Sequence, residues 1–255
     1  MAMQLETIPC LTDNFAFLIH DADSGETACI DVPDAAPVLA ALDRTGWRLT
    51  DILLTHHHGD HVQGVEALRS ATGAKVTGAE ADAHRLPRLD LALTPGMTFT
   101  VGGAFIRVID VSGHTVGHIA FHVPASGLVF TGDSLMAAGC GRLFEGTPGQ
   151  MWDSLERLMV LPPETLVCSG HDYLTGNLAF AAHLEPDNPD LICRIDRLSV
   201  MRREGRLPMP SLLSEELATN PFLRAALPPL KARMSLPDAS DVTVFAAIRA
   251  AKDKF

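Results

Sequence analysis

The chain has 255 residues, of which 47% are hydrophobic and 20% charged, and its formal net charge is −11. The length predicts one large domain, or a main domain with a smaller appendage, and enough apolar side chains for a buried core. An acidic balance disfavours nucleic acid and anionic membrane as main partners, because both require a basic surface.

We expect a cytoplasmic protein. No stretch reaches the roughly 18 consecutive apolar residues of a membrane span. The amino-terminal sequence has no basic region followed by an apolar one, which disfavours a secretory signal. Five cysteines, an odd and scattered set without a CxxC pair, favour buried thiols in a reducing compartment over a disulfide framework or a zinc knuckle.

The first two-thirds of the chain alternates strand-like and helical patterns. The predicted strands lie at 15–21, 27–33, 51–56, 74–79, 97–114, 119–124, 127–133 and 165–172, the last strand of the chain. The predicted helices lie at 36–46, 62–73 and 150–162. Glycines at 46 and 73 and two prolines at 162–163 mark the helix ends.

Near residue 172 the sequence pattern changes from alternating strands and helices to helices alone. The segments 177–186, 189–205, 211–220 and 241–255 have helical spacing and are separated by prolines. One of them carries the basic stretch 194–206, which we interpret as the solvated face of a helix. The sequence therefore predicts a mixed α/β domain over residues 1–172 and a helical domain over 173–255.

Four of the predicted strands end in small residues followed by metal-ligand side chains. The strand at 51–56 runs into "THHHGDH", and three later strands end in Ser-Gly-His114, Thr-Gly-Asp133 and Ser-Gly-His171. Strand ends along one edge of a sheet converge, and loops there can hold functional groups on a rigid scaffold. Imidazole with carboxylate suits zinc, iron or manganese, whereas the lack of thiolates argues against a structural zinc site.

Each of these residues also has a simpler interpretation. A lone histidine after a strand is more often a hydrogen-bonded side chain than a ligand, and Asp133 alone could be a turn residue or a helix N-cap. The histidine cluster is harder to dismiss, because polar groups beside a core strand are costly unless they are paired. We leave out His57, since neighbours on an extended backbone point in opposite directions and His56 shares its side with His58.

The spaced set resembles the HxHxDH signature of the metallo-β-lactamase superfamily, whose fold is a four-layer αββα sandwich. The segments "SGHTVGHIAFHVP", "VFTGDSLMAAGCGRLFEGT", "CSGHDYLTGNLAFA", "NPFLR" and "IRAAKDKF" extend the similarity over the whole chain. They resemble the hydroxyacylglutathione hydrolase (glyoxalase II) family, which adds a smaller all-helical C-terminal domain that contributes to glutathione binding.

This resemblance implies two divalent metal ions per chain, zinc or else iron or manganese. One ion would be held by His56, His58 and His114. The other would be held by Asp60, His61 and His171, with Asp133 and a hydroxide bridging the pair. The implied reaction is hydrolysis of S-(2-hydroxyacyl)glutathione, chiefly S-lactoylglutathione, to glutathione and D-lactate, the second step of methylglyoxal detoxification. Asp60 would help orient the nucleophile.

The resemblance also implies residues that bind the substrate: Arg142, Phe144, Tyr173, Arg249 and Lys252. The last two are three positions apart and so share a helix face, although a basic helix end favoured by the dipole would look the same. Many family members have lysine and tyrosine where Arg142 and Phe144 stand. Loss of one phenol hydrogen bond is worth roughly 0.5–1.5 kcal/mol, so affinity would fall up to about tenfold or the thiol preference would shift.

Other activities of this superfamily are less consistent with the sequence. The nearest alternative is a persulfide dioxygenase-like enzyme with a single iron, which would not need the terminal cations or the longer helical domain. A β-lactamase or lactonase would not need those cations either, and an RNA-processing enzyme would not suit the negative charge. A non-enzymatic metal-binding scaffold conflicts with the filled ligand positions. We expect a small-molecule glutathione thioester as partner, no nucleic acid or membrane, and a monomer or weak oligomer.

Overall fold

The computed structural model describes residues 3–255. Its strands are β1 (Gln4–Cys10), β2 (Asn14–His20), β3 (Glu26–Ile30), β4 (Arg48–Leu53), β5 (Lys75–Ala79), β6 (Leu91–Leu93), β7 (Thr98–Val101), β8 (Ala104–Asp110), β9 (Ile119–Val123), β10 (Leu128–Gly132), β11 (Leu135–Met136), β12 (Gly139–Cys140), β13 (Leu166–Ser169) and β14 (Ser211–Leu212). Its α-helices are α1 (Ala35–Thr45), α2 (Gly59–Val62), α3 (Val65–Thr72), α4 (Pro148–Met159), α5 (Leu174–Leu184), α6 (Pro189–Arg203), α7 (Leu213–Thr219), α8 (Pro228–Arg233) and α9 (Asp241–Lys252). Short 3-10 helices lie at Glu80–Asp82 and Pro124–Ser126.

The described chain forms two compact units that interleave in sequence. The first unit consists of the residues up to 110 together with 117–132 and 168–171. The second consists of 111–116, 133–167 and 172–255. One of the transitions between units falls at residues 171–172, close to the domain boundary expected from sequence, and the division into 1–172 and 173–255 stays a prediction.

The first unit contains a six-stranded sheet in the order β1-β2-β3-β4-β5-β6. Strands β2 and β3 form an antiparallel pair, and β3 to β6 are parallel. Helices α1 and α3 are the crossover connections that parallel strands require. Asp34 caps the start of α1, and Gly46 and Gly73 end α1 and α3 in the left-handed conformation. The apolar sides of both helices join the core of this sheet.

A second sheet in the first unit has the order β7-β8-β9-β10, with β13 beside β10. Its β7–β8, β8–β9 and β9–β10 pairs are antiparallel. Phe17 on β2 packs against Phe130 on β10 with 5.5 Å between ring centroids, so the two sheets stack face to face. Strands β9 and β10 are buried along their whole length, as expected for a layer covered on both sides.

The second unit is mainly helical and has an aromatic core. Trp152 on α4 contacts Phe245 on α9, and Phe222 lies between Phe245 and Phe180, with ring centroids 5.9–6.2 Å apart. Thr147 and Gln150 form a reciprocal capping box at the start of α4. Two short antiparallel pairings, the hairpin β11–β12 and β14 with the start of β13, complete this unit.

Two expectations for the second unit are wrong. Residues 211–220 begin with the strand β14 before α7 starts at Leu213, so 165–172 is not the last strand. The basic stretch on α6 is not solvated throughout, because Arg194 is only 2% exposed and pairs with Glu216. Within residues 3–255, we find no helix long and apolar enough to cross a membrane.

Candidate metal centre

The "THHHGDH" segment begins at Thr55, with one residue between it and the end of β4, and continues into the short helix α2. His56 and His61 are fully buried. His56 Nε2 lies 3.1 Å from His58 Nδ1, and His61 Nε2 lies 3.2 Å from His171 Nε2 after β13. The carboxylate of Asp60 is 3.3 Å from the same nitrogen of His171. The first unit thus gathers five of the predicted ligands, and its residues form clusters able to bind a metal ion.

Two of these histidines, His61 and His171, have a carboxylate beside the ring nitrogen that faces away from the cluster. His61 Nδ1 is 2.9 Å from Asp31 Oδ2, and His171 Nδ1 is 2.9 Å from Asp13 Oδ1. A carboxylate on one ring nitrogen keeps the proton there, which leaves the opposite nitrogen as a lone-pair donor. In both rings that opposite nitrogen points into the cluster. The donor set therefore fits a divalent metal ion of the zinc, iron or manganese type.

Asp60 is ionised in this environment. Its Oδ2 accepts a hydrogen bond from Asn14 Nδ2 at 3.0 Å, and a hydrogen bond to the charged form of a carboxyl favours that form over the neutral acid. An ionised carboxylate is the form that can bind a metal ion.

The middle histidine of the cluster has a different partner. His57 Nδ1 lies 3.1 Å from the carboxylate of Asp82, which is 1% exposed and also accepts hydrogen bonds from Arg85. His57 thus directs its Nδ1 to the segment after β5, although its ring also lies 4.9 Å from that of His58.

The second unit places two further predicted ligands beside each other. His114 Nε2 is 3.4 Å from Asp133 Oδ2, and both residues are buried. His114 Nδ1 is 2.7 Å from the backbone carbonyl of Arg142. A carbonyl can only accept, so Nδ1 carries the proton and Nε2 is left as the donor to a metal ion.

A cavity of about 660 Å³ lies next to this pair in the second unit. Its lining includes His114 and Asp133 together with every residue expected to bind the substrate: Arg142, Phe144, Tyr173, Arg249 and Lys252. Phe144 and Tyr173 are 62% and 43% exposed. The volume is typical of sites that hold small organic ligands.

The two C-terminal cations differ in how they are held. Arg249 is buried, donates to Asp253 Oδ1 and to the carbonyl of Cys140 at 2.9 Å, and lies 5.0 Å above the ring of Phe222. Lys252 Nζ makes a single 2.9 Å hydrogen bond to the carbonyl of Gly176. Burial, with the nearby Arg249, lowers the pKa of Lys252. The lysine therefore keeps donors for a ligand, whereas much of the arginine is engaged within the protein.

The Cys140 thiol in the cavity wall is held in its protonated form. Burial raises the pKa of Cys140 to about 11, and the neighbouring Arg249 opposes this only in part. The thiol is therefore protonated near neutral pH, and only a thiolate attacks efficiently.

Sequence reasoning overlooked Asp13, Asn14 and Asp31. Asp31 directly follows the apolar strand β3, which is the same strand-end pattern that pointed to the other ligands, and its φ of 54° is unusual for a residue with a side chain. Asp13 lies in the turn that joins β1 to β2, and Asn14 is the first residue of β2; nothing in the composition of this turn separates it from an ordinary polar turn.

Comparison with known proteins first identifies the superfamily to which the chain is similar. Residues 21–171 match the family model described as "Metallo-beta-lactamase superfamily". A solved structure titled "TTHA1623 in a di-iron-bound form" is 28% identical, with a TM-score of 0.62, and the similarity covers 86% of this chain and all of that one. The mixed α/β fold with a helical C-terminal region, expected from the sequence, is confirmed.

The match of the C-terminal region identifies a family within this superfamily. Residues 172–255 match the model "Hydroxyacylglutathione hydrolase C-terminus". Proteins named hydroxyacylglutathione hydrolase from Fuscovulum blasticum and Cereibacter sphaeroides are 69% and 62% identical over the whole length of both chains. The chain belongs to the hydroxyacylglutathione hydrolase family.

Proposed function

We propose that this protein hydrolyses the thioester of S-(2-hydroxyacyl)glutathione, chiefly S-lactoylglutathione, to glutathione and a 2-hydroxy acid, D-lactate in the leading case. The observation that carries the proposal is the match of residues 172–255 to the C-terminal model of hydroxyacylglutathione hydrolases. The metallo-β-lactamase fold alone supports many chemistries, so the fold does not decide the substrate. This reaction is the second step of methylglyoxal detoxification.

We propose two divalent metal ions per chain, held as the resemblance implies. His56, His58 and His114 would bind one ion, and Asp60, His61 and His171 would bind the second. Asp133 would contact both. The buried imidazole and carboxylate donors described above support this proposal, because such a set suits zinc, iron and manganese. Bound divalent ions supply ionised water near neutral pH and polarise the carbonyl under attack.

The protein's own residues keep the donor groups in the required protonation states. Asp31 and Asp13 hold the protons of His61 and His171 on the outward nitrogens. Asn14 keeps Asp60 in hydrogen-bonding position and ionised. No strong general acid is required, because the leaving thiol has a pKa of only about 8.5 and departs as the thiolate.

We propose the cavity of the second unit as the glutathione site. Glutathione carries a carboxylate at its glycine end, and Arg142, Arg249 and Lys252 give the cavity wall three cationic side chains. Charge-assisted hydrogen bonds to a carboxylate are stronger than neutral ones. Tyr173 and Phe144 provide exposed aromatic surface for the remainder of the tripeptide.

The cytoplasmic location and the monomeric or weakly associated state stay predictions. The five free cysteines in the described chain, four of them buried, support a reducing compartment. Size-exclusion chromatography with light scattering measures the oligomeric state directly.

The test of the proposed reaction is thiol release from S-lactoylglutathione, followed with a chromogenic disulfide. We expect rapid release by the metallated protein and a loss of release after removal of metal with a chelator. Oxygen consumption with glutathione persulfide, without thioester hydrolysis, would replace this proposal by the mononuclear iron alternative.

A further inference from the structure

The hairpin β11–β12 is held by side chains far away in sequence. It comprises Leu135–Cys140, with Ala138 at its turn in the left-handed region, at a φ of 53°. Such a conformation is uncommon for a residue with a side chain and persists where the surroundings hold it. The backbone N–H of Ala138 donates to Glu216 Oε2 at 2.7 Å.

Asn220, the first residue of "NPFLR", completes this contact. Its Nδ2 lies 2.9 Å from the carbonyl of Gly139, 3.2 Å from that of Met136 and 3.1 Å from Glu216 Oε2. Glu216 and Asn220 are both fully buried. Together they bind three backbone groups of one short hairpin, and we call this pair the hairpin clamp.

The clamp contains a charge that is costly to bury. Glu216 Oε1 pairs with Arg194, whose Nη1 donates to Thr219 Oγ1 at 2.7 Å. Replacing a buried ion pair by apolar side chains is often neutral or stabilising. A carboxylate directed at the backbone of a hairpin is therefore better explained by positioning than by stability alone.

The hairpin leads directly to the histidine–aspartate pair. The N–H of Gly141 donates to the carbonyl of Ser134 at 3.0 Å, which closes the base of the hairpin beside Asp133. A side chain at Gly141 would collide with the carbonyl oxygen of Asp133. The next carbonyl, that of Arg142, accepts the Nδ1 proton of His114 at 2.7 Å. Only Gly141 thus separates the clamped hairpin from Arg142, whose carbonyl orients His114.

We propose that Glu216 and Asn220 are positioning residues for His114: they fix the hairpin, and the hairpin fixes the carbonyl that sets the tautomer and orientation of this histidine. The proposal rests on the proposed role of His114 as a metal ligand. It gives the "NPFLR" segment of the helical region a part in metal binding, although neither clamp residue lines the cavity or belongs to the predicted ligand set.

The test compares Asn220→Ala and Glu216→Gln with a matched control, Thr219→Val. Thr219 is buried in the same network and bonds Arg194, but it does not touch the hairpin. Zinc affinity is measured on the apo proteins by competition with a chromogenic chelator, well below the melting temperature of each variant. Thiol release from S-lactoylglutathione is followed with stoichiometric and with excess zinc.

We expect the two clamp variants to bind zinc about tenfold more weakly, in the range found for lost outer-shell partners. Excess zinc should restore much of their kcat, which it would not do for damage to the substrate cavity. The control should lose thermal stability to a similar extent and bind zinc within about twofold of the wild type. Clamp variants that bind zinc like the wild type, or a control that is weakened equally, would overturn the proposal.

If the clamp variants do not fold, the variant Gly139→Ala tests the positioning role instead. In Gly139→Ala, the added methyl group would press on the amide of Asn177, which bonds the carbonyl of Ala137 in the same hairpin. Either the hairpin or the amide of Asn177 must then shift, and a shift of the amide breaks its bond to Ala137. In both cases the hairpin loses support while Glu216 and Asn220 are unchanged, and zinc affinity should fall. Unchanged affinity in a folded Gly139→Ala protein refutes the proposal. If the wild type neither binds zinc nor releases thiol, the proposed function itself fails, and the positioning role fails with it.

Discussion

Asp31→Asn is the substitution whose effect on metal binding follows most directly from the contacts. Asp31 Oδ1 accepts the backbone N–H of Thr55 at 2.8 Å. Its Oδ2 contacts Thr55 Oγ1 at 2.8 Å and His61 Nδ1 at 2.9 Å. Asparagine has the same shape, but only one of its two terminal atoms can accept a hydrogen bond.

The backbone donor decides how the asparagine is oriented. The N–H of Thr55 cannot rotate away, so the amide oxygen must face it and the NH₂ group must face His61. His61 Nδ1 then has to accept, which moves the ring proton to Nε2 and removes the lone pair that points to His171. Metal affinity should fall about ten- to a hundredfold, which corresponds to about 1.4–2.8 kcal/mol.

The assay is zinc competition on apo protein, with Asp21→Asn as the control. Asp21 is also a buried carboxylate in the first unit, and it accepts hydrogen bonds from Gly103 and Ser24 rather than from a histidine. We expect Asp21→Asn to lower the melting temperature and to leave zinc affinity unchanged. Wild-type zinc affinity in folded Asp31→Asn would refute the argument that this carboxylate sets the tautomer of His61.

Three further results are expected. Lys252→Ala should raise KM for S-lactoylglutathione, because a charged hydrogen bond is worth about 1.5–3 kcal/mol. Its melting temperature should fall less than that of Arg249→Ala, since the lysine makes one hydrogen bond within the protein, to Gly176, and lies 5.3–5.4 Å from the ring centroids of Phe180 and Phe255. Arg249→Ala should raise KM and also lower the melting temperature, since it loses its bonds to Asp253 and Cys140; equal stability of the two variants in a thermal melt would contradict this difference. Burial of the neutral Cys140 thiol raises its pKa from near 9 to about 11, so its contribution to stability is fully present below pH 9 and is lost as the pH rises through 11. Thermal melts between pH 8 and 11 should show a decline that is less steep in Cys140→Ala, and equal slopes would exclude this contribution.

The elements that carry the five first-unit ligands were largely predictable from the sequence. Apolar runs with strand character ended at the expected places, and glycine at positions 46 and 73 ended α1 and α3 because it adopts the left-handed conformation without strain. The histidine spacing after β4 identified the metal-binding chemistry, because few other arrangements require so many imidazoles beside a core strand.

The residues that contact the predicted ligands or hold the hairpin β11–β12 were not predictable from the sequence in the same way. Asp13 and Asp31 contact His171 and His61, which are 158 and 30 positions away in sequence, and such partners follow from tertiary structure rather than from local pattern. Arg194 has the same local sequence character as its exposed neighbours on α6, and only the position of Glu216 on α7 explains its burial. The hairpin β11–β12 consists of two-residue strands, which are too short to give a periodic signal.

The most direct test of the account is a zinc titration of the metal-free protein, with thiol release from S-lactoylglutathione measured at each addition. We expect thiol release to be absent at the start, to rise with added zinc and to reach its plateau at two equivalents per chain. Full activity in the metal-free protein, or no thioester hydrolysis after two equivalents of zinc have been added, would contradict this expectation.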